Sequence, residues 1–230
     1  MKKIALSFDT EQDFPPFFNT KKGFENGIDN ILSILKNNNV SGTFFVTAGF
    51  VEEFEDKIGK IAAENHEIGV HGFNHERFDK LSERKAEEVI KKSKDVLESF
   101  YREIFSFRAP NFKFPRKYYK ILEKNCFLID SSVKGNGIER IGNVAIIKAT
   151  LTSIHFRMPK FLQNLFFRLE NFESPIVLVF HNWEFVKMPK HYRVDGWFRT
   201  GEYMRKFLDN FIKEGKGKNY SFVRLCDLID

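Results

Sequence analysis

The sequence predicts an α/β fold in which strands and helices alternate along 230 residues. Eight apolar runs have the length of strands, and helical patterns lie between most of them. Several of these runs are almost continuously apolar, which is typical of parallel strands covered on both faces. The number of strand–helix units is close to that of a small, incomplete (β/α) barrel, and we expect one domain over residues 1–230.

The predicted elements follow one another in a regular order. The strands are KIALSFD, SGTFFVTAG, HEIGVHG, IFSFRAP, CFLIDSSV, NVAIIKAT, PIVLVFHNW and YSFVRLCDL. The helices are expected near residues 24–36, 51–65, 82–101, 115–124, 159–172 and 200–214. Ser82 and Thr200 are suitable N-caps, Pro115 and Pro159 suit a first helical turn, and Gly215 suits a helix end.

Composition argues against several classes of protein. No segment approaches the ~20 consecutive apolar residues of a membrane-spanning helix. Asp9 and Glu11 interrupt the apolar start, so it lacks the core of a signal peptide and we expect a cytoplasmic location. Two cysteines without C-x-x-C spacing argue against a disulfide framework. The net charge of +6 suits acidic partners, but without a nucleic-acid-binding motif we expect no nucleic acid.

Ionisable side chains follow five of the apolar runs, at the point where each strand ends. They are Asp9 and Glu11 after the first run, His71 and His75 after the third, and then Arg108, Asp130 and His181. Active sites of parallel α/β folds gather at the carboxyl ends of the strands. We therefore expect these side chains to form a site at one rim of the sheet.

Spacing indicates a metal site at this rim. Asp9 and Glu11 are two residues apart, so they point to the same side of a strand. A helical turn after the third strand would bring His71 and His75 to one side. Two imidazoles and a carboxylate suit a catalytic metal site, in zinc hydrolases and also in non-haem Fe(II) oxygenases. The additional Asp9 and His181 favour hydrolysis, which needs a base and an acid.

These residues stand in five ordered motifs that resemble the polysaccharide deacetylases of the NodB-homology type, carbohydrate esterase family 4. The motifs are SFDTE, HGFNH, RAPNF, DSS and VFHNWEF, and they extend over nearly the whole chain. The resemblance implies a distorted, incomplete (β/α)7 barrel that removes N-acetyl groups from amino sugars with a divalent metal. Zn²⁺ is the expected ion, with Co²⁺, Mn²⁺, Fe²⁺ or Ni²⁺ as alternatives.

The first motif departs from the common pattern of two adjacent aspartates, a base and then a ligand. Thr10 occupies the second place, and a carboxylate returns at Glu11. The chain thus resembles the subset with an Asp-x-Glu pattern, which implies that Glu11, His71 and His75 bind the metal and that Asp9 is the base. Relatives with this pattern include enzymes that act on single sugars, lipid-linked sugars and non-sugar amides.

The resemblance also implies roles for the later motifs. His181 would protonate the departing amine, Arg108 would orient Asp9, and Asp130 would keep His181 protonated. A backbone N–H near the third motif would stabilise the oxyanion. His66 stands outside the motifs and is expected to make a structural hydrogen bond.

Substrate binding is expected at four residues, Asn111 and Phe112 in the third motif and Trp183 and Trp197 near the fifth. The predicted reaction is hydrolysis of an N-acyl amide, most simply N-acetyl, on an amino sugar or glycan precursor. A C–N hydrolase of the same fold acting on a formamido sugar, a cyclic imide or another non-sugar amide is the alternative. An inactive glycan-binding module is disfavoured, because it would need neither base nor acid.

The expected partner is a carbohydrate or lipid-linked sugar substrate. Phe167 lies on the polar face of the helix expected near residues 159–172, beside Lys160. An exposed Phe beside a cation predicts weak peripheral contact with an anionic membrane. The oligomeric state is not predicted by the sequence.

Overall fold

The computed structural model describes residues 1–101, 104–159 and 169–229, and its strands form one sheet. The strands are β1 (Lys3–Thr10), β2 (Thr43–Val46), β3 (Glu67–Val70), β4 (Ser106–Phe107), β5 (Ile129–Asp130), β6 (Ile138–Ile141), β7 (Val144–Ile147), β8 (Leu151–Thr152), β9 (Ile176–His181) and β10 (Ser221–Val223). Their order is β6-β7-β5-β4-β3-β2-β1-β9-β8, and β10 also pairs with β1. Neighbouring strands are parallel, except β6 and β7. The sheet curls into a half-barrel, which confirms the predicted α/β fold and incomplete barrel.

Each of the eight predicted runs contains a strand, whereas β6 and β8 were not predicted. Strand β6 carries two adjacent charged residues between two isoleucines at the edge of the sheet, and β8 has only two residues. The described α-helices are α1 (Ile28–Asn37), α2 (Glu55–Ala63), α3 (Glu83–Phe100), α4 (Tyr119–Lys124), α5 (Ser153–Arg157) and α6 (Glu202–Gly217). None of the described helices is long and apolar enough to cross a membrane.

The helix ends confirm some of the predicted signals and correct others. Ser82 is the N-cap of α3, and its hydroxyl accepts a hydrogen bond from the Lys85 N–H at 3.3 Å. Helix α6 follows Gly201 instead of Thr200, and it continues to Gly217, three residues past the predicted end at residue 214. The helix predicted near residues 159–172 lies largely outside the described residues. So do Lys160 and Phe167, on which the prediction of membrane contact depends.

Side chains alternate between two faces along each strand, and this alternation places the site residues. On β1, Leu6 and Phe8 pack in the large core shared with the helices, whereas Ala5 belongs to an inner core. The inner core consists of Ala5, Phe45, Ile129, Ile147, Ala149, Val177, Val179 and Leu225. Because a strand has a two-residue period, Asp9 and Glu11 continue the inner-facing series that begins at Ala5.

The ends of β3, β4 and β9 obey the same alternation. The last outward-facing side chain of each strand packs with the helices, and an inward-facing residue follows it. These inward-facing residues are His71, Arg108 and His181. On β5 the ionisable residue occupies an outward-facing position, because Ile129 lies in the inner core and Asp130 is in register with the outward-facing Phe107 of β4.

Two glycines allow another segment to pack closely against the backbone that follows His181. The π-helical turn Gly23–Gly27 packs against the segment that follows β9. A Cβ on Gly27 would lie 2.2 Å from the carbonyl oxygen of Asn182, and one on Gly23 would lie 2.7 Å from the Trp183 nitrogen. A larger residue at either position would therefore displace this segment.

Candidate active site

A cleft of about 390 Å³ lies at the carboxyl ends of the strands, on the face of the sheet that carries the inner core. Its lining includes five of the predicted site residues, Asp9, Glu11, His71, His75 and His181. This volume is within the range of roughly 300–1,000 Å³ that is usual for ligand pockets. Of the seven ionisable side chains expected at one rim, these five line the cleft, whereas Arg108 and Asp130 do not belong to its described lining.

Glu11, His71 and His75 present three donor atoms that all lie within 4.8 Å of one another. Oε2 of Glu11 is 2.8 Å from Nε2 of His75 and 3.3 Å from Nε2 of His71. The other ring nitrogen of His71, Nδ1, is 2.8 Å from the carbonyl oxygen of Arg108. A carbonyl only accepts, so Nδ1 carries the proton and Nε2 keeps its lone pair. This donor set fits a divalent transition metal such as zinc.

A loop brings the two histidines together, not the predicted helical turn. Gly72 and His75 both adopt left-handed conformations, with φ of 74° and 61°. The Glu76 carboxylate accepts the backbone N–H groups of Phe73 and Asn74, both at 2.9 Å, and so closes the loop. The i, i+4 spacing predicted the proximity correctly but attributed it to the wrong backbone conformation.

Electrostatic interactions favour the charged form of the Glu11 carboxylate. Burial alone would raise the pKa of Glu11, but the charge of His75 and its hydrogen bond hold it well below its usual range. Burial would lower the pKa of His75, and the Glu11 charge raises it instead. Glu11 is thus ionised at neutral pH, as a metal ligand must be.

Asp9 pairs with Arg108, as the resemblance implied. Nη1 of the buried Arg108 donates to Oδ1 of Asp9 at 2.8 Å. The same guanidinium donates through Nε and Nη2 to the carbonyl and hydroxyl of Ser131, at 3.1 and 2.9 Å, and lies over the Phe45 ring. Oδ2 of Asp9 lies 3.9 Å from Nε2 of His71. Arg108 therefore holds one carboxylate oxygen while the other faces the ligand cluster.

The predicted pairing of Asp130 with His181 is wrong. The Asp130 carboxylate accepts hydrogen bonds from the Tyr119 hydroxyl at 2.7 Å and from the Ser132 hydroxyl at 2.5 Å. Strands β4, β3, β2 and β1 lie between β5 and β9 in the sheet. Burial raises the pKa of Asp130 to about 6. Asp130 therefore anchors the strand to the helix layer, on the opposite face from His181.

Glu184 takes the place that was predicted for Asp130. Its buried Oε1 is 3.3 Å from Nδ1 of His181 and 3.1 Å from Nη2 of Arg157, and it accepts the Ser153 hydroxyl at 2.5 Å. Burial would lower the pKa of His181, but the charge of Glu184 raises it to about 9. Burial would likewise raise the pKa of Glu184, and the charges of Arg157 and His181 lower it. His181 is thus held in its acid form.

Glu184, Arg157 and Ser153 were not singled out from the sequence. The signal that could have identified Glu184 is its i, i+3 spacing from His181 in a short turn after a strand. Arg157 and Ser153 come from α5, which is distant in sequence from the fifth motif. Their contribution depends on tertiary packing.

Asn111 and Phe112 line the cleft, which agrees with their predicted place near the substrate. Both have left-handed backbones, with φ of 59° and 57°. The ammonium of Lys134, which also lines the cleft, lies 5.1 Å from the centre of the Phe112 ring. This part of the cleft thus presents an aromatic ring beneath a cation.

The two tryptophans predicted to bind substrate have different surroundings. Trp183 lines the cleft but is 2% exposed, because its ring stacks on His181 and its Nε1 donates to Glu11 at 3.3 Å. It therefore contacts both His181 and Glu11. Trp197 does not belong to the described lining of the cleft, and its Nε1 donates to the His191 carbonyl at 2.7 Å. Its assignment to substrate binding stays a prediction.

His66 makes the structural hydrogen bond that was expected. Its Nδ1 accepts the backbone N–H of Gly42 at 3.2 Å. Burial, with a smaller effect from the nearby Arg224 charge, lowers the pKa of His66 to about 4. This histidine therefore stays neutral in the folded chain at physiological pH.

Comparison with known proteins covers the first three of the five motifs, because the family match ends at residue 127. Residues 1–127 match the family model described as polysaccharide deacetylase. Peptidoglycan-N-acetylmuramic acid deacetylase PdaA of Bacillus subtilis is 36% identical over 105 residues, which are 45% of this chain and 33% of PdaA. The matched part is thus about a third of that relative.

Two solved structures share the fold. The Bc1960 peptidoglycan N-acetylglucosamine deacetylase superposes with a TM-score of 0.68 at 21% identity, over 97% of this chain and 86% of its own. BA3943 from Bacillus anthracis, described as a pseudoenzyme of carbohydrate esterase family 4, superposes with a TM-score of 0.69 at 19% identity. That match covers 100% of this chain and 66% of BA3943.

Proposed function

The chain belongs to the polysaccharide deacetylase family, and on that premise we propose that it hydrolyses an N-acetyl amide on an amino sugar. One observation carries the proposal. Three metal-donor atoms converge within 4.8 Å, between the Asp9–Arg108 pair and the His181–Glu184 pair. Family membership supports N-deacetylation of sugar polymers, and both PdaA and Bc1960 are named for peptidoglycan substrates.

Glu11, His71 and His75 would hold a divalent cation, for which Zn²⁺ is the first candidate. When bound, the cation supplies Lewis-acid polarisation of the amide carbonyl and acidifies water. Metal dependence is therefore part of the proposal.

Proton transfer is assigned to the two flanking pairs. Asp9, oriented by Arg108, accepts the proton of the attacking water through the oxygen that faces the cleft. His181, with a pKa of about 9, donates a proton to the amide nitrogen as the C–N bond breaks. The products are acetate and a free amino group. Trp183 and Glu184 hold the imidazole of His181 between them.

The oxyanion donor is expected among the backbone N–H groups of residues 111–114, and two of these four already make hydrogen bonds. The Phe112 N–H donates to the Ala109 carbonyl at 3.1 Å, and the Lys113 N–H donates to the Pro110 carbonyl at 3.2 Å. Both N–H groups are used within their own turn. Of the two remaining residues, Asn111 lines the cleft and Phe114 does not belong to its described lining, so we assign the oxyanion contact to the backbone N–H of Asn111.

Acetate release tests the proposal directly. The substrates are N-acetylglucosamine oligomers and peptidoglycan fragments that contain N-acetylmuramic acid, each with and without a chelator. We expect release that the chelator abolishes and Zn²⁺ restores. Release of formate from a formamido sugar, with none of acetate, would select the alternative C–N hydrolase. Binding without any release would indicate a glycan-binding module.

A further inference from the structure

An apolar groove adjoins the cleft, between residues 154–159 and residues 192–198, with a volume of about 440 Å³. It contains four exposed apolar side chains, Ile154, Tyr192, Val194 and Phe198, which are 42%, 77%, 54% and 37% exposed. They are half of the eight large apolar side chains that are exposed among the described residues. Their concentration in one groove is typical of a binding surface, whereas single exposed apolar residues are ordinary.

The charged side chains of the groove are committed to partners within the protein. Arg193 donates through Nε and Nη2 to both carboxylate oxygens of Asp195, at 3.0 and 2.7 Å. Arg157 is 3.1 Å from Glu184 and donates to the Phe198 carbonyl at 3.2 Å. A row of sugar hydroxyls placed here would find few unpaired polar groups, so its burial would cost hydrogen bonds to water. The groove therefore suits hydrocarbon better than a sugar chain.

The groove is continuous with the cleft. Ile154, Arg157, Arg193 and Asp195 line both. A ligand whose amide lies beside the metal-donor cluster can therefore extend into the groove without leaving the protein surface. The occupant of the groove is thus expected to be covalently attached to the group that reacts in the cleft.

We propose that the groove binds a hydrocarbon chain attached to the amino sugar, so that the substrate is an amphiphilic glycolipid. This inference rests on the proposed function, because that function assigns the sugar to the cleft. Cleft and groove each have the volume of an ordinary ligand pocket, so each can hold one part of such a molecule.

The test compares the octyl and methyl glycosides of N-acetylglucosamine below the micelle concentration of the octyl compound. Titration calorimetry measures binding, and acetate release is measured separately. We expect the octyl glycoside to bind on the order of 100-fold more tightly than the methyl glycoside. Its seven additional carbons would be partly buried in the groove, and partial burial gives about half of the transfer free energy of full burial. Val194→Ser should lower this preference at least about fivefold. Ile138→Ser is the matched control, because Ile138 is similarly exposed at 40% and lies outside the groove, so it should keep the wild-type preference.

The outcomes separate this proposal from the proposed function. Hydrolysis of both glycosides with equal affinity would overturn the groove assignment and leave the proposed function standing. A groove-dependent octyl preference without hydrolysis of either compound would support hydrocarbon binding and reject the proposed function. Binding to sugar-free anionic vesicles that Val194→Ser abolishes, without an octyl preference, would identify a membrane contact and overturn the proposal.

Discussion

Replacement of Glu184 by Gln tests whether this buried carboxylate keeps His181 protonated. The substitution conserves the size of the side chain and removes the charge that lies 3.3 Å from Nδ1 of His181. Burial would then act on the imidazole without its main opposing charge. The pKa of His181 should fall from about 9 to its ordinary value of 6.5 or below.

The size of the effect follows from these two pKa values. At pH 8, a group with a pKa of 9 is about 90% protonated, and one with a pKa of 6.5 is about 3% protonated. If His181 is the general acid, kcat/KM for acetate release should fall about 30-fold at pH 8 and change little from this cause at pH 6. The measurement is a pH profile of kcat/KM, in which the alkaline limb should move down by about 2.5 pH units.

Two further variants make the result specific. Glu184→Asp keeps the charge and should recover part of the alkaline limb. Asp130→Asn removes the carboxylate that the resemblance assigned to His181, and because Asp130 faces the helices, the limb should not move. A limb that moves with Asp130→Asn and stays with Glu184→Gln would refute the reasoning. Thermal denaturation should accompany the assay, since Glu184→Gln leaves Arg157 without its carboxylate, at a cost of about 3 kcal/mol.

Three other predictions concern the metal, the base and acid stability. His71→Ala should remove the bound divalent ion measured by elemental analysis, whereas His191→Ala should retain it. Asp9→Asn should keep the ion and lower turnover by roughly 10²–10⁴-fold; an empty metal site in this variant would make Asp9 a ligand. The unfolded chain protonates His66 near pH 6.5 and the folded chain only near 4, so its contribution to the free energy of unfolding should be complete above pH 6.5 and fall by up to about 3 kcal/mol as the pH drops to 4. Denaturant titrations across this range should show a smaller loss for His66→Gln, and equal losses would contradict the assignment.

Much of the site could be predicted because its residues follow strands that are recognisable in the sequence as short apolar runs. Asp9, Glu11, His71, Arg108 and His181 each stand at or just after the end of such a strand, and period-two alternation directs all five inward. The Asp-x-Glu subset, the single domain over residues 1–230 and the cytoplasmic location stay predictions. The groove could not be predicted, because the segments on its two sides meet only after folding.

The misassignment of Asp130 shows what motif order leaves out. Position in a motif predicts that a residue lies near the rim, but the phase of its strand decides which face it occupies. Ile129 belongs to the inner core, so Asp130 must point to the helices and cannot reach His181. The buried imidazole of His181 needs a nearby carboxylate to stay charged, and the turn after β9 supplies Glu184 three residues later. A partner for a catalytic histidine is therefore better sought first among inward-facing residues and next in the turn that follows its strand.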